Sequence, residues 1–463
     1  MIAEHQRELA KVYREDLTMK TLAVTDSGPL PVNNKLLFLL LALGIVFIAL
    51  DYRVAGIVTS AFLLIAFPEI TFALFLNAPL FKGDPRIPAL PIDLTILFMG
   101  LVAIGAIIRL CQPGFKVTET LRNSSRLIIS YLLLSVVLFI GLAYTAVPLY
   151  GTQKALRFIS ITALTCFAPL VLFNNLHRIR LFLYAFLAIS SVACFDSITS
   201  VPIEEDAYRV ATAFGSNNIN LGRLAGFSAI VIPGLIFAGR RSWPFLLPLF
   251  FLSLFGLFSS ASRGPSVAFL VSLAAAWLFG SITWKSKGRI VLVGGLITLV
   301  LLSFLLLFKG HFYTLLWRAE NIGYAKAERV ELLTTALNGA RSSFLAPLIG
   351  IGTGGFHHLS GHIDVADYNQ GAYPHNLIGE IACENGLFGL LVLAFMLLTV
   401  FRKTAGVARE FGERNALAYA LCFLVLFTFV NSLFSGDING NRELFACFGI
   451  IYAVDNILRQ KNS

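Results

Sequence analysis

The chain has 463 residues, of which 57% are hydrophobic and only 13% charged, with a formal net charge of +10 and a mean hydropathy of +0.78. Ordinary soluble domains do not have this composition, and it defines a polytopic membrane protein. The basic excess is spread over alternate short loops, so it is read as an orientation signal, with no nucleic-acid partner expected.

In chain order, residues 1–34 are polar and mixed in charge, with no apolar stretch leading to a cleavage site, and are expected to be a cytoplasmic tail. Residues 35–308 are expected to hold transmembrane helices. Two or four of them fall between 36 and 111, where Asp51-Tyr52-Arg53 and Pro68-Glu69 interrupt the apolar pattern. Further apolar runs follow, from Leu127 to Val147 through Leu444 to Ile457, against the roughly 20 residues that a span requires. The expected total is twelve or fourteen spans, with a long loop at 309–376, C-terminal spans within 377–457 and a short tail at 458–463.

Every second loop is basic: Arg109, Lys116, Arg122 and Arg126; Arg178 and Arg180; Arg240 and Arg241; Lys285, Lys287 and Arg289; Arg402, Lys403, Arg409 and Arg414. The positive-inside rule puts these loops and both termini in the cytoplasm. The segments 148–156, 199–220, 309–376 and 435–442, with the short break at Arg263, are then external. The fold class is all-α, a polytopic transmembrane helix bundle.

Six cysteines fall within or beside apolar runs without a C-x-x-C pair and read as small core residues. His357, His358 and His362 lack the cysteines or spaced carboxylates that would complete a metal site, so neither metal nor cofactor is expected.

The remaining ionisable groups sort by side. Lys154, Arg157, Arg209, Arg263, His375 and Arg442 all stand at external ends of helices. Each alone reads as a snorkelling side chain. Arg157, just inside an apolar run, and Arg263, in the break "SSASRGPS", need a partner or a wet cavity at membrane depth. Together they describe an anion site, because arginine forks suit phosphate oxygens and Lys154 would add a point charge.

Asn217 and Asn218 read either as helix caps or as amides for sugar hydroxyls. Glu204, Glu205 and Asp206 read as a solvated face, and Arg223 as an intramembrane exception. Residues 327–341 carry Val330, Leu332, Leu333 and Leu337 at helical spacing, an amphipathic helix for a membrane surface. "GIGTGGF" at 350–356 reads as a tight backbone passage with a ligand able to approach. His375, fixed by Pro374 at the start of a span, reads as a proton acceptor or as a capping histidine. Glu380 and Glu384 share a helix face and are expected to be protonated or paired inside the bundle.

His375-Asn376, then nine residues, Gly386, two residues and Gly389 spell H-N-x9-G-x2-G, which resembles the signature of the O-antigen ligase family, within the superfamily of O-antigen ligases, O-antigen polymerases and protein O-oligosaccharyltransferases. "RVATAFGSNN" resembles that family's R-x-x-G-x-F-x-x-x-N element through Arg209, Phe214 and Asn218, with Thr212 where glycine is usual. Ser262-Arg263-Gly264 resembles its S-R-G element, and Arg329 matches an arginine before the glycine turn.

The resemblance implies a metal-independent inverting glycosyltransferase of the GT-C type in the bacterial inner membrane, acting on the periplasmic side. Its donor would be an undecaprenyl-diphosphate-linked glycan. Its acceptor would be lipid A-core, or a growing polysaccharide if the chain is a polymerase instead. On this reading His375, Arg209 and Arg263 are catalytic, and Lys154, Arg157, Asn218, Arg329, Asn376 and Arg442 bind substrate. A transporter or flippase for an anionic substrate is the rival of another class, and it would place broken, charged helices near the bilayer midplane.

Overall fold

A computed structural model describes residues 63–82, 84, 92–199, 211–238, 243–279, 322–365, 371–411 and 415–462. Arg209 and the acidic run at 204–206 lie outside the described residues. The chain divides into two compact units, Met1–Phe67 and Pro68–Ser463, and the second carries everything below.

Among the described residues all regular structure is helical: α1 Pro68–Phe81, α2 Leu94–Leu110, α3 Val117–Gly141, α4 Pro148–Arg157, α5 Ala163–Leu172, α6 Leu176–Thr199, α7 Asn218–Ala238, α8 Trp243–Ser259, α9 Arg263–Phe279, α10 Ile322–Gly339, α11 Ala346–Ile349, α12 Gly355–Leu359, α13 Leu377–Phe411, α14 Ala416–Ser432 and α15 Arg442–Asn462. Among the described residues five stretches are long and apolar enough to cross a membrane: Val117–Gly141, Pro148–Leu172, Leu176–Ile198, Asn218–Ala238 and Leu377–Phe411. The all-α polytopic bundle expected from the sequence is the observed class.

Helix α7 lies deep in this bundle, and its glycines set how closely its neighbours approach. A Cβ on Gly226 would sit 2.5 Å from the Phe427 ring and one on Gly234 2.4 Å from the Ala420 Cβ, so α14 packs directly on the α7 backbone. Small residues have this role between membrane helices, where packing replaces the hydrophobic drive.

Two local departures position the polar side chains. Residues 148–156, expected to be an external loop, form helix α4, which continues through a π-helical turn, Phe158–Thr162, into α5. Its first turn is capped from a distant loop, since the Asp364 carboxylate accepts from the N–H groups of Leu149 and Tyr150 at 3.0 Å each. Helix α13 breaks its geometry at Gly386 (φ 61°, ψ −154°), the first glycine of the sequence motif. The carbonyls of Cys383 and Glu384 are taken up by the N–H groups of Ile351 and Gly352, at 3.0 Å each. A Cβ on Gly386 would lie 2.5 Å from the Leu348 carbonyl carbon. The glycine turn therefore makes its close approach to a helix backbone.

Candidate active site

The segment 433–442, between α14 and α15, is where the motif elements meet. The Asn376 amide donates to the Leu433 carbonyl at 3.0 Å, while its Oδ1 accepts from Gly379 N–H at 2.8 Å and so caps α13. A side chain at Gly264 would start 2.9 Å from the Phe434 Cβ, which sets the S-R-G element against the same segment. The Asn218 amide donates to the Ser260 carbonyl at 2.9 Å, joining the start of α7 to that element. Asn439 accepts from the Thr162 hydroxyl at 2.8 Å and donates to the Lys154 carbonyl at 2.9 Å, tying in α4 and the π turn.

Arg223 anchors the segment from α7. It donates to the Gly440 carbonyl at 2.9 Å, the Ser435 carbonyl at 2.7 Å and the Asn441 side chain at 3.2 Å, and it stands 3.9 Å from Glu443. Asp437 closes the turn by accepting from Gly440 N–H at 2.7 Å, and its other oxygen is buried without a hydrogen-bond partner among the described residues. Sequence reading missed Asp437's neighbour Asn439 and the anchoring role of Arg223. The available signals were a charge in the middle of an apolar run and the dense polar string "SGDINGN".

His375 is half-buried between Pro374 and the cap Asn376, its ring 4.5 Å from that of Tyr373. Burial pushes the Tyr373 phenol above its ordinary value, with Arg223 opposing, so Tyr373 is a neutral hydroxyl near pH 7. His375 has φ 55°, a conformation that L-residues avoid. The other non-glycine residues with positive φ among those described are Phe214 (φ 53°) and Ala261 (φ 48°). All three lie in or next to the three elements that carry the family resemblance. Strain of this kind costs about 1–3 kcal/mol per residue and clusters where function requires it.

The loop leading to His375 is held by a second histidine. His357 is buried, its Nδ1 accepts from Ala372 N–H at 3.0 Å, and its Nε2 lies 2.8 Å from the Ile363 carbonyl. An acceptor Nδ1 leaves Nε2 as the donor to the Ile363 carbonyl, so this imidazole ties the loop together.

Of the expected arginines, Arg157, Arg263 and Arg329 are half-buried. Arg442 is half-buried too, with one terminal nitrogen shielded and without a hydrogen-bond partner among the described residues, and it feels the charges of Glu443, Arg157 and Asp437. Two guanidinium groups near one another at the end of a helix are the arrangement that an anion relieves. Arg329 is carried by α10, which packs on α13 where Leu333 meets Gly379. On α10, Val330, Leu333 and Leu337 are exposed, whereas Ala336 and Leu332 join Phe356 and Cys383 in a small core.

Lys154 requires a correction. Its ammonium is not offered to a ligand: it is 1% exposed, 2.5 Å from Glu380 and 2.6 Å from Glu384, which are 0% and 1% exposed. The ammonium is paired inside the bundle by two carboxylates of α13. Glu380 and Glu384 are paired, as their shared helix face suggested.

The fold defines a polytopic helical membrane protein in which the elements carrying His375 and Arg263 meet at one polar segment that ends in Arg442. The family model described as O-antigen ligase matches residues 248–394 of this chain. The match takes in the S-R-G element, α10, the glycine turn, His375-Asn376, Gly386 and Gly389. No curated protein matches the chain.

Proposed function

We propose that the chain transfers a glycan from an undecaprenyl-diphosphate carrier to an acceptor hydroxyl on the periplasmic face of the inner membrane, as an O-antigen ligase. The observation that supports this reading is that the elements carrying His375, which has φ 55°, and Arg263 both pack against the segment 433–442, which ends in Arg442.

In this mechanism Arg263, Arg157 and Arg442, with Arg209 and Arg329, hold the diphosphate and stabilise the charge it gains as it leaves. His375 accepts the proton of the acceptor hydroxyl, whose oxygen attacks the anomeric carbon. The new glycosidic C–O bond forms on one face as the bond to the diphosphate oxygen breaks on the other, so the configuration inverts. Asn376 positions His375 by capping α13. No metal or nucleotide enters the step. The termini are assigned to the cytoplasm.

The glycolipids that accumulate in cells lacking the protein test this reading. A ligase defect leaves long glycan on the carrier lipid. Single repeats on the final acceptor would instead assign the chain to the polymerases, a role that "FSGDINGNRELF" also suits.

A further inference from the structure

We propose that the protein has a binding site for one anionic phospholipid at the end of the bundle opposite the candidate active site, formed where α2 and α5 end and α3 begins, beside the last turns of α15. Two contiguous hollows define it. One is a polar cavity of ≈ 240 Å³ lined by Arg109, Gln112, Lys116, Asn174 and Asn456 among others. The other is an apolar groove of ≈ 270 Å³ lined by Leu110, Val117, Leu121, Phe167 and Leu170 among others. They share Phe115, Thr120, Leu170 and Val171, so a polar end and an apolar end meet across one wall. An amphiphile with a charged headgroup matches that division, whereas a free ion would use only half of it.

The headgroup end is positive. Arg109 and Arg178 both lean on the single buried carboxylate of Glu69, at 3.4 and 2.9 Å, which leaves that cluster one positive charge in excess. Lys116 is 67% exposed and loosely paired with Glu119 at 3.3 Å. Helix α3 starts at this cavity with no side chain capping its N-terminus, so its first N–H groups and its dipole also favour an anion. Asn456 belongs to the polar lining of the cavity. It is 9% exposed, and its Oδ1 has no hydrogen-bond partner among the described residues.

The groove side is equally specific. Leu110, Val117 and Leu121 are 39%, 42% and 53% exposed along the edges of α2 and α3, forming a surface for an acyl chain. Helix α3 has 25 residues, so its two ends lie about 37 Å apart. Its far end, Gly141, contacts Thr353 of the glycine turn. The lipid site is thus separated from the candidate active site by the length of the helix, and the proposal does not rest on the transfer reaction.

Native mass spectrometry of the purified full chain, with phosphatidylglycerol, phosphatidylcholine and sn-glycerol 3-phosphate each added at equal concentration, tests it. One phosphatidylglycerol should be retained in preference to phosphatidylcholine, and sn-glycerol 3-phosphate should fail to displace it. Lys116→Ala should weaken retention about fivefold, the value of one lysine near an anionic headgroup. Asn456→Asp, which adds a negative charge to the headgroup end of the site, should weaken it at least about tenfold. Because Lys116 is exposed, its variant keeps the fold and remains informative if the Asn456 variant unfolds. Equal retention of the two lipids, full displacement by sn-glycerol 3-phosphate, or wild-type retention in Lys116→Ala would each overturn the proposal.

Discussion

Replacing Lys154 with methionine keeps the stem and removes the ammonium. In the native protein that group lies 2.5 Å from Glu380 and 2.6 Å from Glu384, and none of the three side chains is more than 1% exposed. Removing one partner from a buried ion pair costs about 3–5 kcal/mol, because the charge left behind is uncompensated. Here two carboxylates remain and repel each other, so the upper half of that range is expected. The damage should also spread, since the Lys154 carbonyl is held by Asn439 and the glutamates belong to the helix that follows His375.

The triple variant Lys154→Met, Glu380→Gln, Glu384→Gln removes all charge at once and should recover most of the loss, as neutral replacements of buried ion groups commonly do. Thermal unfolding of the purified protein in detergent, followed by intrinsic fluorescence, measures both. The reasoning is refuted if the single variant unfolds at the wild-type temperature, or if the triple variant is no more stable than the single one. A triple variant that is folded yet inactive would return Lys154 to the substrate.

Three further outcomes are expected. Gly386→Ala should destabilise by roughly 2–4 kcal/mol, because the new Cβ meets the 348–350 backbone at a positive φ; denaturant midpoints of the purified protein check this. Arg223→Gln should free the 433–442 segment by leaving the Ser435 and Gly440 carbonyls short of a donor, at a cost of about 2–4 kcal/mol, and protease susceptibility near residue 437 should rise. Asp364→Ala should cost about 1 kcal/mol through the lost cap of α4, seen as a modest fall in unfolding temperature while the protein still inserts in the membrane.

The class of fold was legible because apolar length and loop charge are imposed by the bilayer and are written locally. The histidine motif was legible because Pro374, His375 and Asn376 lie in one short stretch that resembles a family signature; Asn376, expected to bind substrate, caps the helix that follows. What stayed hidden was pairing across the chain. Lys154 and Glu384 are 230 residues apart, and a lysine that finds two carboxylates cannot be told from one that waits for a phosphate without the fold. The glycines of "GIGTGGF" raised the same ambiguity. A backbone built for close approach does not reveal whether a ligand or, as here, the broken turn of α13 will occupy the space. Arg223 was visible as an oddity, but its three acceptors are more than 200 residues away.

The central claim is that His375 moves the acceptor's proton, and the most direct test is transfer from a lipid-linked donor by purified protein carrying His375→Gln. The account requires that turnover fall by about 10²–10⁴-fold, the value of a positioned general base, while the variant unfolds at the wild-type temperature and still binds the donor. Turnover at the wild-type rate in that variant would contradict it.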